Sequence, residues 1–338
     1  MKSQKIRFGF AGVRHAHIFD LYERALAHPR IEVVGIWESD PEASLLSSRG
    51  LERSHSGLEA LLSESDVAAV GDAYGRRGAV VLDALRADCS VIADKPLCTR
   101  KAELEAITEL ATKRGKKIGM MLDLRDHANW LTLRRAVQEG RIGRVLTVHF
   151  TGQHPLLRKQ RPAWYFEPGM HGGTLNDIAI HALDFIPWLT GSPIEMIDHA
   201  RTWNAKAGDA PHFMDCAQCV FRTADGTSVM GDVSYLAPDT AGYKLDGYWR
   251  VTLHGEHGML ETGCNREGVQ WVGDRSDRPE ILPTTESRPG GYLEDFIGDL
   301  DELPESDERL ATNDVLRVTS KALELERRAR QTPGVAGQ

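Results

Sequence analysis

No run of apolar residues in this chain is long enough to span a bilayer, so a helical membrane anchor is not expected. A sustained basic stripe is also missing. With 41 Lys and Arg against 49 Asp and Glu, the formal net charge is −8, which argues against nucleic acid as a partner. The short "ERRAR" near the C-terminus fits a solvated helix end. Cysteine is scarce: Cys89, Cys98, Cys216, Cys219 and Cys264 are an odd, scattered set that makes no disulfide framework. Cys216 and Cys219 form a C-x-x-C with no second pair to complete a zinc site. The opening "MKSQKIRFGFAG" enters a strand without the apolar core of a signal peptide, so free thiols in a cytoplasmic protein are expected. G-x-S-x-G, P-loop and H-E-x-x-H motifs are absent, which removes support for serine hydrolase, P-loop NTPase and zincin chemistry.

What is present is a change of rhythm along the chain. In the first third, apolar runs at 5–11, 32–37, 67–71, 89–93 and 117–122 read as buried parallel strands. Helical patterns at 17–28, 78–87 and 100–114 lie between them, so a doubly wound α/β domain is expected over 1–123. Residues 124–338 are expected to form a second, α+β domain for substrate binding and oligomerisation, whose last helix packs back on the first domain. A helix near 174–189 precedes strand-like stretches at 194–204, 213–223, 227–236, 248–254 and 258–262. "TADGTS" reads as a hairpin with Asp225-Gly226 at its tip, within a large, mostly antiparallel sheet. Residues 273–290 are polar and rich in Pro, Gly, Ser and Thr and read as a surface loop, between helices at 291–302 and 312–330.

The first strand runs into "GFAGVRHAHIFD". A dinucleotide turn of the G-x-G-x-x-G type places pyrophosphate at a helix N-terminus. Gly12 fills the first glycine position, Arg14 and His17 stand in the other two, and Val13 and His15 complete the turn. Glu38 ends the second strand, about twenty residues on, where an acid bonds the adenosine ribose and repels a 2′-phosphate, favouring NAD over NADP. His15 and His17 also make an H-x-H pair, but the sequence names no third ligand, so no metal is expected.

"VIADKPLCTRKAELEAI" (91–107) and "MHGGTLNDIAIHALDFIPWLTG" (170–191) resemble the Glu-Lys-Pro and Asp-x-x-x-His segments of the Gfo/Idh/MocA oxidoreductases. "WRVTLHGEHGMLE" (249–261) and "TNDVLRVTSKALELE" (312–326) extend the resemblance over nearly the whole chain. It implies an N-terminal Rossmann domain that binds NAD or NADP. It also implies a sugar, polyol or inositol-like substrate held between domains, and a C-terminal sheet that builds homodimers or homotetramers. Lys95 then matches the family's active-site lysine, and Asp177 and His181 its acid and histidine. Asp94 replaces the usual glutamate, and the resemblance implies a cis bond at Lys95–Pro96.

The chemistry fits these residue types. His181 can take the hydroxyl proton of a secondary alcohol while hydride leaves its carbon. Lys95 can stabilise the developing alkoxide. Asp177, four residues before His181 on a predicted helix, can bind a substrate hydroxyl or favour the imidazolium. Asp184, one turn later, reads equally as support for the site or as an ordinary helix-face acid. His154, Trp164 and His171 are further candidates to contact the substrate, with Trp164 and Tyr165 able either to stack on a sugar or simply to pack. Relatives usually carry Thr-Pro and a later histidine where this chain has Asp72, Ala73 and Arg77. An aspartate beside the cofactor needs a cation, and Arg14, Arg76 and Arg77 are the candidates. The expected activity is that of an NAD-dependent dehydrogenase. The alternatives are a non-catalytic sugar- or NAD-responsive binding or regulatory protein, and a lyase or glycosidase that uses transient oxidation.

Overall fold

The computed structural model describes residues 5–40, 44–284, 286–304 and 306–331. The chain begins β1 (Ile6–Val13), α1 (Ile18–Ala27), β2 (Ile31–Trp37), α2 (Ser44–Ser47), α3 (Leu58–Ser63), β3 (Val67–Gly71), α4 (Tyr74–Arg86), β4 (Ser90–Ala93), α5 (Lys101–Arg114) and β5 (Ile118–Met120). It continues α6 (Ala128–Gln138), β6 (Val145–Pro155), α7 (Ile180–Thr190), β7 (Ile194–Trp203), β8 (Cys216–Thr223), β9 (Ser228–Ala237), β10 (Arg250–Gly255), β11 (Gly258–Gly263), β12 (Val269–Gly273), β13 (Glu280–Leu282), α8 (Gly291–Leu300) and α9 (Thr312–Gln331). Contacts divide it into two compact units. The first comprises Met1–Met121, Pro162–Gly172 and Tyr292–Ser320, and the second Leu122–Arg161, Gly173–Gly291 and Lys321–Gln338. The two units therefore interleave along the chain, and one division falls within α9. Tyr292, Leu293, Phe296 and Ile297 share one apolar core with Phe8 and Phe10, which explains why α8 is counted with the first unit.

The sheet of the first unit has the order β2-β1-β3-β4-β5, with every pair parallel. β3 and β4 are buried at every position, as apolar runs without alternation require of strands covered on both faces. α1 buries Ile18, Phe19, Leu21 and Ala25, a helical spacing that lays one stripe on the sheet. This is the Rossmann-like fold expected from the sequence.

The second unit holds an eight-stranded sheet of order β13-β12-β11-β10-β6-β9-β8-β7. It is antiparallel except for the β6–β9 pair. The β8–β9 hairpin turns where expected, with Gly226 at φ 87° and the Asp225 carboxylate accepting bonds from Thr223 Oγ1 and the Thr227 N–H. β6, β12 and β13 were not anticipated. β13 lies inside the supposed 273–290 loop and pairs with β12 over Glu280–Leu282. The expected helix over 174–189 begins instead with a wide π-helical turn, Leu175–Ala179, before α7. All five cysteines are free. No helix among the described residues is long and apolar enough to cross a membrane.

Candidate functional site

In the first unit the site is built on the turn between β1 and α1. Gly12 sits at φ 74°, and a Cβ there would lie 2.7 Å from the Asp72 Cβ. The Val13 N–H donates to Glu38 Oε2 at 2.7 Å, and those of Arg14 and His15 donate to the Gly71 carbonyl. The next two N–H groups, of Ala16 and His17, meet no acceptor among the described residues and lie on exposed residues at the start of α1. Two free N–H groups at a helix N-terminus suit a phosphate, so the turn fits the pyrophosphate of a dinucleotide even though Arg14 and His17 replace two glycines.

Glu38 was expected to meet the ribose. It is fully buried, and besides the Val13 N–H it accepts the Asp40 N–H at 2.9 Å and the Ser39 hydroxyl at 3.2 Å. It ties the end of β2 to the turn, and a ribose would reach it only by displacing these donors. Arg14 lies 3.1 Å from Asp40 and 3.8 Å from Glu38. Of the three arginines proposed to offset Asp72, only Arg76 faces its carboxylate, at 3.6 Å. Arg77 is fully buried and directs its guanidinium to the carbonyls of Asp72, Asp94 and Pro96 and to Asp94 Oδ2. The reason is geometric. Arg77 lies one turn into α4, from where its fork reaches the end of β4.

Asp94 is fully buried and stands 2.5 Å from His15 Nδ1. Burial works against its charge, but His15 and Arg77 hold the carboxyl well below its ordinary range. Burial pushes the His15 imidazole down to about 4, against the pull of Asp94. His15 Nε2 meets the Tyr74 hydroxyl at 3.0 Å, which in turn meets that of Tyr165 at 3.2 Å. Lys95 follows β4 at a cis bond to Pro96, as the resemblance implied, and its ammonium lies 6.0 Å from the centre of the Tyr74 ring. Trp164 and Tyr165 are buried against Tyr74, with ring centres 5.0 and 5.6 Å away, and His171 lies 4.7 Å from Tyr165. Within this unit Trp164 and Tyr165 pack against their neighbours' rings.

In the second unit, Gly173 at φ 107° leaves no room for a side chain, because Glu326 from α9 occupies the space. The Glu326 carboxyl accepts the N–H groups of Leu175 and Asn176 and so caps the wide turn that carries Asp177. Burial raises the Glu326 carboxyl to about 7. Asp177 accepts a hydrogen bond from the Tyr235 hydroxyl on β9. His181, at the start of α7, has its ring 5.4 Å from Trp249. His154, at the end of β6, lies 6.1 Å from Tyr235 and 5.9 Å from Trp249. The unit thus brings Asp177, His181 and His154 to one aromatic cluster. Asp184 forms a buried ion pair with Arg125. Sequence reading missed Tyr235 and Glu326, whose partners are distant in the chain. Tyr248 and Trp249 had a visible signal, an aromatic pair at the start of a strand, that was not used.

Comparison with known proteins identifies the family and the fold. Residues 6–122 match the model of an oxidoreductase family with an NAD-binding Rossmann fold, and residues 130–261 match the GFO/IDH/MocA C-terminal domain. The chain is 26% identical over 177 residues to the inositol 2-dehydrogenase of Rhizobium meliloti, covering 52% of this chain and 50% of that one. It is 29% identical over 175 residues to the 1,5-anhydro-D-fructose reductase of Ensifer adhaerens, covering 49% and 51%. These matches span about half the length of each relative. The fold is that of the WlbA dehydrogenase of Bordetella pertussis, solved with NADH and UDP-GlcNAcA, at a TM-score of 0.75 and 22% identity over 98% of both chains.

Proposed function

The chain belongs to the Gfo/Idh/MocA oxidoreductase family, and from that premise we propose that it moves a hydride between NAD and a secondary alcohol of a sugar, polyol or inositol. The observation that carries this reading is the cluster of Asp177, His181 and His154 around the rings of Tyr235 and Trp249. An acid and imidazoles beside aromatic faces suit a polyhydroxylated ring, whose C–H faces stack while its hydroxyls are bonded. The names of the inositol and anhydrofructose relatives support the same substrate class.

A bound nicotinamide dinucleotide would supply the hydride acceptor for the alcohol carbon. Gly12 and the N–H groups of Ala16 and His17 would hold its phosphates, with Glu38 beneath the turn. The negative charge of Glu38 and Asp40 beside Arg14 supports NAD over NADP. The His181 imidazole takes the hydroxyl proton as the carbon is oxidised and returns it in the reverse direction. Asp177, oriented by Tyr235, bonds a neighbouring hydroxyl. The Lys95 ammonium donates to the reacting oxygen and stabilises its developing charge.

The test begins with purified protein. Denaturation should release nicotinamide, or NADH should quench tryptophan fluorescence saturably, and a panel of sugars, polyols and inositols should reduce NAD. His181→Ala should lower turnover by about 100-fold or more with NADH binding kept. Absence of both released cofactor and saturable quenching would overturn the proposal.

A further inference from the structure

We propose that His15, His17 and Asp94 form a binding site for a divalent transition-metal ion of the zinc type. Each offers a ligand atom, and these atoms lie within 4.8 Å of one another. The Asp94 carboxylate is fully buried, and its Oδ1 has no hydrogen-bond partner among the described residues. His17 Nδ1 lies 3.6 Å from that oxygen, too far for a hydrogen bond. Two donors on a tetrahedral zinc ion, with bonds near 2.0–2.1 Å, stand about 3.3 Å apart. The gap between His17 and Asp94 is therefore the size of a shared ion.

The surroundings orient the donors as a metal site requires. His15 Nε2 meets the Tyr74 hydroxyl at 3.0 Å, and donation there leaves the Nδ1 lone pair facing Asp94. The proton now shared by His15 Nδ1 and Asp94 Oδ2 would move to His15 Nε2 as the ion enters, so the imidazole stays neutral and donates to the Tyr74 hydroxyl. Arg77 holds Asp94 Oδ2 at 3.2 Å and fixes the carboxylate plane. The His17 side chain is 56% exposed, which supplies an entry path and open coordination positions. Two imidazoles and one carboxylate select Zn²⁺, Co²⁺, Ni²⁺ or Fe²⁺ over Mg²⁺ and Ca²⁺, which prefer all-oxygen sites. Arg77 offsets part of the Asp94 charge, so binding is expected to be weaker than at a dedicated structural zinc site. The metal site is independent of the proposed hydride transfer.

The probe is Co²⁺, titrated into chelator-treated, cofactor-free full-length protein and followed by visible absorption and calorimetry. One saturable site per chain is expected, displaced by Zn²⁺ and not by Mg²⁺. His17→Ala, on an exposed residue that leaves the core intact, should weaken binding about tenfold or more, and Asp94→Asn should do the same. His257→Ala, on an exposed residue of the second unit, should leave binding unchanged. Circular dichroism establishes that each variant is folded. No saturable Co²⁺ binding by the wild type, or binding that survives both His17→Ala and Asp94→Asn, would overturn the site. NADH fluorescence on the same samples separates this outcome from failure of the dehydrogenase reading.

Discussion

Arg77 Nη2 and Asp94 Oδ2 meet at 3.2 Å, and neither side chain reaches solvent. The resemblance places a histidine and a glutamate at these two positions in relatives. This chain has a longer cation and a shorter acid, so the span between α4 and the end of β4 is bridged by a different division of length. The same Asp94 oxygen also meets His15 Nδ1, at 2.5 Å. Removing Arg77 would leave a buried carboxylate and three carbonyls without their donor. Arg77→Ala should therefore lower the free energy of unfolding by about 3–5 kcal/mol in urea titrations. Arg77→Lys should cost less but still be measurable, because a single ammonium cannot serve all four acceptors. A loss below about 1 kcal/mol for Arg77→Ala would show that the pair is not structural.

The turn makes a second demand. Gly12→Ala would place a Cβ 2.9 Å from the Asp72 Cα and 2.7 Å from its Cβ, at a φ of 74°. Those are atoms of a buried strand end, which cannot swing aside as a flexible side chain would. The variant should lose about 1–3 kcal/mol of stability and bind NADH much more weakly in a fluorescence titration. Undiminished NADH affinity would mean that the cofactor is held elsewhere.

Glu326 gives a prediction in pH. Its folded-state pKa is raised from 4.5 to about 7, so the folded protein favours the protonated carboxyl. Its contribution to stability is complete below about pH 4.5 and is lost as pH rises towards 7. Glu326→Gln keeps an oxygen to accept the Leu175 and Asn176 N–H groups but removes the titration. The difference in Tm between variant and wild type should move in favour of the variant between pH 5 and pH 8. A difference that stays constant over that interval would contradict the assignment.

The parts of the fold that were legible are those written in contiguous pattern. β3 and β4 are unbroken apolar runs because both faces are covered, and their bounds fall within a residue of expectation. β6 was missed because its burial alternates irregularly and its apolar positions are diluted by Thr, His and Gly. β13 was missed because three residues in a polar stretch carry no period; only pairing with β12 makes them a strand. The candidate site divides in the same way. Lys95, Asp177 and His181 were visible through short local motifs. Tyr235 lies 58 residues from the Asp177 it bonds, and Glu326 is 150 residues from Asn176, distances over which spacing says nothing. The H-x-H pair was visible too, but the acid that faces it is 79 residues away from His15. For the same reason, the cation assigned to Asp72 was misjudged for Arg14 and Arg77.

The one parallel pair in the large sheet has a consequence for the order of assembly. β7–β9 and β10–β13 are each local meanders, able to form as soon as their own strands leave the ribosome. β6 emerges before both, yet its two partners are β9 and β10, one from each meander. It must remain without strand partners until the first meander is synthesised, and it then joins the two halves by long-range closure, the slowest kind of contact to form. Nascent chains halted between β6 and β9 should expose this strand to chaperones or to a second nascent copy. Mutations that raise the apolar content of β6 would then lower the yield of folded protein by a kinetic route, even where they leave the finished sheet equally stable.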